Sequence, residues 1–539
     1  MCSKRGILSV IQRGFRTSPC IRATYPTEFE MFMKCRKDAY LETCIIDDSM
    51  INPCWESPKV VIIGAGVAGL SAASRLASSG FPKITVCEAA DRPGGRIHSC
   101  WFGPTVTEIG ATYLHGTTIA NSVFPMAASE GLVKEPYMKE TDDGLMMTSQ
   151  SEIISTFVSS ASDACFKTIL KQAADLFVMC GPGVQCGSLH DFISRRIDQE
   201  IKLFPFQYRA QAAKVMVSKM VDLESKIGAE LYKVAACQFG TLVDIPGGNI
   251  SVPSGMVGIL APMLKDMPSC SSIKYCKPVK KINWKTSDPD CPRCRVYCVD
   301  GDVLEADYVI VTVSLGVLKS NSIKFDPPLP EGKQKAINEM GFGHVNHAYL
   351  EYEKPFWVWS EGSVRLGWNF EESEHREGWV KGISAIKELP TSQQILQVTV
   401  GGDAALILES LSDVQIAQDI TSVHRKFLNN PELPYPVNVQ RSKWSSSPFF
   451  AGAKSYFGLN TTLQTQCEIG KPVPDGCCNE LPVLCFAGEA TAIGAHGTVH
   501  GARNSGLREA DRIISMTKKL KGRPKLTQEN SEDKAVANI

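Results

Sequence analysis

The sequence predicts an α/β protein built on a doubly wound, Rossmann-like parallel sheet, and two observations carry that prediction. The first is the apolar run Val60, Val61, Ile62 and Ile63, of the kind buried on both faces of a parallel sheet, followed at once by Gly64, Gly66 and Gly69 in G-x-G-x-x-G spacing. The second is a further strand signal, Ile84 to Cys87, that delivers Glu88 24 positions beyond Gly64. An acid near that distance accepts hydrogen bonds from a ribose diol and repels a 2′-phosphate. A glycine-rich turn alone is common between strand and helix; the turn with its acid points to a dinucleotide.

Each glycine has its own task. Gly64 permits the tight turn, Gly66 lets a pyrophosphate approach backbone at the positive end of a helix, and Gly69 lets that helix lie close to the strand. The contacting residues of this turn are then Gly64, Ala65, Gly66, Ala68 and Gly69, and the helix is expected to end at Gly80. Gly94, Gly95 and Arg96 lie just past the acid, where a second glycine turn can approach the phosphate bridge and the guanidinium can place its charge on it. Residues 150–235 carry apolar positions at three and four spacing, most clearly over 153–176 and 210–221, and predict a mostly helical substrate domain. Strand signals return at 279–284, 295–299 and 308–313, with a loop at 325–330 and a helix over 332–340. A buried strand at 483–487 ends in the turn Gly488-Glu489, and Thr498 opens a helix with Leu507, Ala510 and Ile514 on one face.

At 539 residues and 43% hydrophobic content the chain can bury a large core, with two or more domains expected. Its 57 basic and 57 acidic residues cancel, so no overall field draws it to nucleic acid or to an anionic membrane. The longest apolar run, residues 60–73, is too short to span a bilayer. Twenty cysteines are scattered through a chain large enough to fold without staples and with no visible secretory signal, so reduced thiols are expected. Cys291 and Cys294, with Cys298 nearby, have the spacing of half a zinc site; with no second pair, a polar hairpin loop is the competing reading and no metal is expected. Residues 1–27 hold Lys4, Arg5, Arg13, Arg16 and Arg22 and no acid, with Ile7, Leu8, Ile11 and Phe15 at helical spacing. That composition fits a disordered basic leader or a mitochondrial transit peptide. Cytoplasm is the expected compartment, mitochondrion the alternative, and the final Ala-Asn-Ile is not a peroxisomal SKL address.

The ordered motifs resemble those of the flavin-containing amine oxidases, nearest to the animal polyamine oxidases that act on spermine and N1-acetylpolyamines. Gly94-Gly95-Arg96 matches their GG motif, the stretch from Glu108 through His115-Gly116 their E-x-GA-x-W-x-HG segment, and residues 486–491 their FAGEAT. The resemblance implies FAD, held without a covalent bond because Ala453 stands where monoamine oxidases carry the bonding cysteine. It further implies that Gly110, Ala111 and Thr112 lie against the isoalloxazine, that Val279 contacts the adenine end, that Trp444 packs near the flavin, and that Gly488 and Glu489 meet its ribityl-phosphate portion. Thr498 and Val499 would open a helix toward the ring's N1 and C2 carbonyl, where a positive helix end stabilises the reduced ring's negative charge. His115 lines the amine pocket on this reading; by itself it is as well a hydrogen-bonded structural histidine. Asp222-Leu-Glu224 matches an N-x-E segment whose glutamate attracts the cationic substrate, against the plain reading of Glu224 as a helix-surface acid.

Three positions depart from the family pattern. His347 stands where these oxidases carry a lysine that holds a water at flavin N5, and a histidine with a reference pKa of about 6.5 is largely neutral there. Lys454 replaces an aromatic wall of the amine site; pointed inward at about 5 Å from a cationic amine it would repel it by roughly 3 kcal/mol, about a hundredfold in affinity. It is expected to turn outward, to pair with a carboxylate such as Glu224, or to mark an unusual substrate. Gly497 replaces a serine that some animal polyamine oxidases turn toward the substrate.

The resulting expectation is an FAD-binding domain in three segments, 58–145, 250–325 and 440–517, with an α+β substrate domain from 146–249 and 326–439, a leader over 1–57 and a disordered tail over 518–539. The reaction expected is oxidation of a polyamine or acetylated polyamine at a C–N bond by hydride transfer to flavin N5, with oxygen as the second substrate and hydrogen peroxide, an aldehyde and an amine as products. His115, His347, Lys454 and Glu224 are the expected catalytic set. The alternatives are an oxidase or dehydrogenase with altered substrate or acceptor, and a catalytically impaired flavin-binding protein. Oligomeric state is left open.

Overall fold

The computed structural model describes residues 57–140, 144–180, 186–265, 267, 272–285, 293–357, 363–369, 378–474 and 482–521. The expected leader up to residue 56, the tail beyond residue 521 and Cys291 of the cysteine pair lie outside them.

A five-stranded parallel sheet organises the first layer. Its spatial order is Leu484–Phe486, Tyr308–Val311, Val60–Ile63, Ile84–Cys87, Ser272–Lys274. The central strand explains its own sequence. Val60 and Ile62 enter one hydrophobic core and Val61 and Ile63 the other, so the period-two alternation of a strand demands apolar residues at every position. Helix α1 (Val67–Ser78) follows the first strand, capped at Ser79 with Gly80 in the left-handed region. It packs against α5 (Val499–Lys521). A Cβ on Gly506 would fall 2.1 Å from the Ala68 carbonyl oxygen, so that crossing requires glycine.

The second layer is a six-stranded sheet ordered Asn438–Arg441, Val345–Glu351, Ile395–Gly401, Ala385–Glu388, Val364–Gly367, Leu145–Thr148. It has its own core, which includes Trp357, Trp368, Trp379 and Phe427. The helices α2 (Thr156–Cys180), α3 (Leu189–Ile201) and α4 (Arg209–Ile227) supply the helical region expected over 150–235. α4 matters most for function. Gly228 ends it in the left-handed conformation at φ 86°, and a Cβ there would lie 2.9 Å from Val345 Cγ2, so the last turn of α4 is pressed against the strand that carries His347.

Reduced thiols do not hold everywhere. Cys186 and Cys237 are joined by a disulfide with Cα atoms 5.6 Å apart, 51 positions apart in sequence. Backbone pairing of Ser188 with Ala235, and the Ala236 amide bonded to the Gly187 carbonyl at 3.0 Å, bring the two segments together. The other described cysteines are free, and Cys294 is buried on a strand paired antiparallel with both its neighbours. One trio, Cys180, Cys186 and Cys237, has its sulfurs within 4.8 Å of one another, but two of the three are joined. No helix among the described residues is long and apolar enough to cross a membrane.

Candidate functional site

One cavity of about 760 Å³ collects the expected residues from both ends of the chain. Gly64, Gly66, Ala68, Glu88, Gly94, Gly95, Arg96, Gly110, Ala111, Thr112, Val279, Trp444, Gly488, Glu489, Thr498 and Val499 line it, as do His115, His347 and Lys454. Ala65, Gly69 and Glu224 do not. Ala65 works from behind the wall, its amide donating to Glu88 Oε2 at 2.6 Å. Gly69 is a packing glycine, since a Cβ there would fall 1.9 Å from the Gly64 carbonyl oxygen.

The dinucleotide end is made largely of backbone. α1 begins after Gly66 with no side chain capping it, so its first-turn amides are left for a ligand. Gly94 and Gly95 sit at φ 100° and 59°, and the second turn approaches so closely that a Cβ on Gly95 would lie 3.3 Å from Gly66 Cα. Arg92 braces this turn through the carbonyls of Gly95 and Ile97, at 2.9 and 3.1 Å. The Glu88 carboxylate is buried and accepts from the amides of Ala65 and Ala90. Burial raises its pKa; those two amides and Arg92 oppose the rise.

Arg96 and Glu489, 393 positions apart, close the cavity wall with an ion pair at 3.0 Å. Glu489 also accepts from Ser455 Oγ at 2.5 Å and the Gly497 amide at 2.7 Å. Burial works to raise its carboxyl, but Arg96, Ser455 and the Gly497 amide outweigh it and hold it below the usual range. Trp444 donates Nε1–H to the Ile109 carbonyl at 2.9 Å, which fixes the indole beside the Gly110–Thr112 backbone.

The amine end is made of side chains from separated elements. Its polar chain runs from His115 to Asn249 (2.7 Å), Asn249 to Glu140 (2.8 Å), Glu140 to Lys226 (3.5 Å) and Lys226 to Asp222 (3.1 Å). The directions follow from the carboxylate: Glu140 only accepts, so Asn249 Nδ2 donates to it and Asn249 Oδ1 accepts Nδ1–H of His115. Neutral His115 then keeps an acceptor lone pair on Nε2. Burial, with Lys454 adding to it, lowers the His115 pKa against the pull of Asn249, Glu140 and Asp244. His347 is buried between Thr399, whose Oγ1 lies 2.9 Å from Nδ1, and Thr112, whose Oγ1 lies 3.5 Å from Nε2. Burial pushes its pKa down to about 4, although a hydrogen bond to the Gly110 backbone favours the charged form.

Two expectations about charge need correction. Glu224 is buried away from the cavity, with Oε1 accepting the Leu231 amide at 3.2 Å; Asp222, two positions earlier, lines the cavity instead. On α4 the four-residue spacing puts Asp222 and Lys226 on the cavity face, whereas Glu224, about 200° from Asp222, turns back to the segment that follows the helix. Lys454 neither turns outward nor pairs with Glu224. It lines the cavity and donates to the backbone carbonyl of Lys226 at 2.9 Å. Its room comes from Gly497: a Cβ there would fall 2.7 Å from Lys454 Cε, so the two departures at 454 and 497 are sterically linked. Sequence reasoning missed Glu140, Asn249, Lys226 and Lys387, which also line this end and carry no local motif.

A doubly wound sheet, a nucleotide-type glycine cradle and a second lobe that shares one cavity with it define a dinucleotide-binding protein with room for a second ligand beside the nucleotide. Residues 224–514 match the family described as flavin containing amine oxidoreductase, and residues 62–129 match the NAD(P)-binding Rossmann-like domain. The chain is 32% identical over 490 residues, 85% of its length and 95% of the relative's, to the human peroxisomal N(1)-acetyl-spermine/spermidine oxidase. It is 27% identical over 534 residues to the probable polyamine oxidase 5 of Arabidopsis thaliana, covering 85% of this chain and 98% of that one. Solved structures of putrescine oxidase superpose with a TM-score of 0.65 at 19% identity, over 85% of this chain and 99% of theirs, and show the same fold. The chain belongs to the flavin-containing amine oxidoreductases.

The residues present fit the family's cofactor, FAD. The cradle at Gly66 and Gly95 is open only because no Cβ fills it, and the α1 amides are uncapped. Ala453 offers no thiol, consistent with a non-covalent cofactor.

Proposed function

We propose that this protein oxidises a polyamine-type amine at a C–N bond, using FAD. In this reading Gly64, Gly66 and the N-terminus of α1 hold the phosphates, with Arg96 beside them and Ala65 and Gly69 in support. Glu88 takes the ribose, Val279 the adenine end, and Gly110, Ala111, Thr112 and Trp444 the ring. Gly488 and Glu489 take the ribityl-phosphate portion, and the N-terminus of α5, at Thr498 and Val499, faces the ring. FAD, when bound, would supply a two-electron acceptor for hydride from the carbon beside the amine nitrogen, with oxygen as the final acceptor.

The chain's own residues do the rest. His115, neutral and fixed by Asn249, offers Nε2 as acceptor for an N–H of the substrate, which orients the amine. His347, neutral and pinned between two threonines, holds a wall position without adding charge. The paired carboxylates Asp222 and Glu140 take the role expected of Glu224 as the acids that meet an incoming cation. The single observation that carries this reading is that the dinucleotide cradle and the His115–Asn249–Glu140 chain open into one cavity. The division of residues 58–517 into three FAD-domain and two substrate-domain segments is part of the same proposal. For the compartment we propose the cytoplasm, with the mitochondrion as the alternative that cell fractionation decides.

The test is optical. Purified yellow protein is expected to bleach anaerobically with spermine or N1-acetylspermine and to regain colour in air. Bleaching without rapid recovery points to a different electron acceptor, a reading favoured by the uncharged His347; His347→Lys should then speed reoxidation by oxygen. No bleaching by any amine would leave a flavin-bound protein without this activity.

A further inference from the structure

The amine end carries more positive charge than a polycation needs. Facing it from α4 are Asp222 and Lys226; from the segment before residue 141, Glu140; from the loop ahead of Ile245, the exposed Asp244; from the strand Ala385–Glu388, Lys387; and from the strand Lys454–Tyr456, Lys454, so three lysines face three carboxylates. Lys226 already bridges the two acids, at 3.1 Å to Asp222 and 3.5 Å to Glu140. Lys387 and Lys454 remain. Among the described residues Lys387 has no hydrogen-bond acceptor and no carboxylate within 4 Å, although Asp222 and Glu140 act on its charge from farther away. Lys454 has one neutral acceptor, the Lys226 carbonyl, and no carboxylate within ion-pair reach, because nearby Glu489 is occupied by Arg96, Ser455 and the Gly497 amide. Both part-buried ammonium groups flank the last turn of α4.

Unpaired lysines in a confined wall cost stability unless a ligand supplies the missing anion. The family resemblance would place a plain polyamine here, yet each such lysine near a second substrate ammonium would weaken its binding by about ten- to a hundredfold. A neutral acyl group would accept a hydrogen bond but leave both ammonium groups without an anion in contact. An ionised carboxylate satisfies both the donors and the charge.

We propose that the amine end is built for a substrate bearing a carboxylate on the same chain as its oxidised amine, and that Lys387 and Lys454 are the specificity residues that bind it. Room for Lys454 is provided by Gly497, the position where a side chain would collide with it. This inference rests on the proposed amine oxidation for its reaction, but not for its binding site.

The experiment compares three ligands on the FAD-loaded protein: spermidine, N-acetylspermidine, and N-(4-aminobutyl)-3-aminopropanoic acid, which keeps the aminobutyl arm of spermidine and ends its other arm in a carboxylate. Anaerobic binding is followed by the shift in flavin absorbance and by calorimetry, and turnover separately by bleaching. The carboxylate compound is expected to bind at least tenfold more tightly than spermidine. Lys387→Met and Lys454→Met should each weaken it about tenfold while tightening spermidine binding, and Lys387→Arg should retain it. Spermidine binding as tightly as the carboxylate compound, or both lysine variants weakening the two compounds alike, would overturn the proposal. Selective carboxylate binding with no bleaching by any of the three would support the binding site and remove the amine-oxidase reading instead.

Discussion

The two ends of the cavity are built on different principles. The dinucleotide end uses backbone: glycines that allow close approach, an uncapped helix start and one acid held by two amides. Its principal charge, Arg96, is matched by Glu489. The amine end uses side chains gathered from α4, three sheets and a connecting segment, and leaves two lysines with no carboxylate in contact. Backbone recognition suits a ligand that never changes, whereas a side-chain wall can be re-specified residue by residue.

The largest expected effect would break the comparison at the dinucleotide end. A Cβ on Gly66 meets nothing nearer than Gly95 Cα at 3.9 Å, so Gly66→Ala should fold, with stability within about 1 kcal/mol of wild type, yet purify colourless. If the alanine variant keeps its flavin, that cradle does not hold the phosphates. Next comes the closure between the two chain ends. Glu489→Ala leaves Arg96 without its partner and should lower unfolding stability by about 3–5 kcal/mol in denaturant titration. A loss below about 1 kcal/mol would show that the ion pair is dispensable.

A smaller effect separates neutral from charged walls. With a folded pKa of about 4 against about 6.5 when unfolded, His347 takes up its proton more readily in the unfolded chain. Its contribution is complete above about pH 6.5 and is lost as pH falls toward 4, by at most about 1.4 kcal/mol per pH unit. Relative to wild type, His347→Gln should therefore lose less melting temperature between pH 6.5 and 4.5; parallel curves would mean that His347 is not buried neutral. The smallest effect sharpens the amine end. Gly497→Ser should displace Lys454, so its effect on amine binding should be non-additive with Lys454→Met, with a coupling of about 1 kcal/mol in a double-mutant cycle.

Legibility in the sequence follows the same divide. The strand, turn, helix and acid from Val60 to Glu88 were readable because the recognising atoms are consecutive in the chain, and spacing alone fixes where they point. The amine end was readable only in part. His115, His347 and Lys454 do line the cavity, but the motif match at residues 222–224 selected Glu224, on the far side of α4, and passed over Asp222. Lys387 was invisible, since a lysine on a strand of the second sheet carries no sign of which cavity that sheet will wall. The disulfide was missed for the same reason: the proximity of Cys186 and Cys237 is a product of folding, not of spacing.

The parallel sheet is completed by Leu484–Phe486, which pairs with Tyr308–Val311 at its edge, and the next turn brings Glu489 to Arg96. During synthesis the glycine turns of the first hundred residues therefore emerge long before the parts that shut over them. Nearly the whole polypeptide must therefore be made before this pair can close, so retention of a prosthetic group is expected only after synthesis, and a product ending ahead of that last strand would lack the closure.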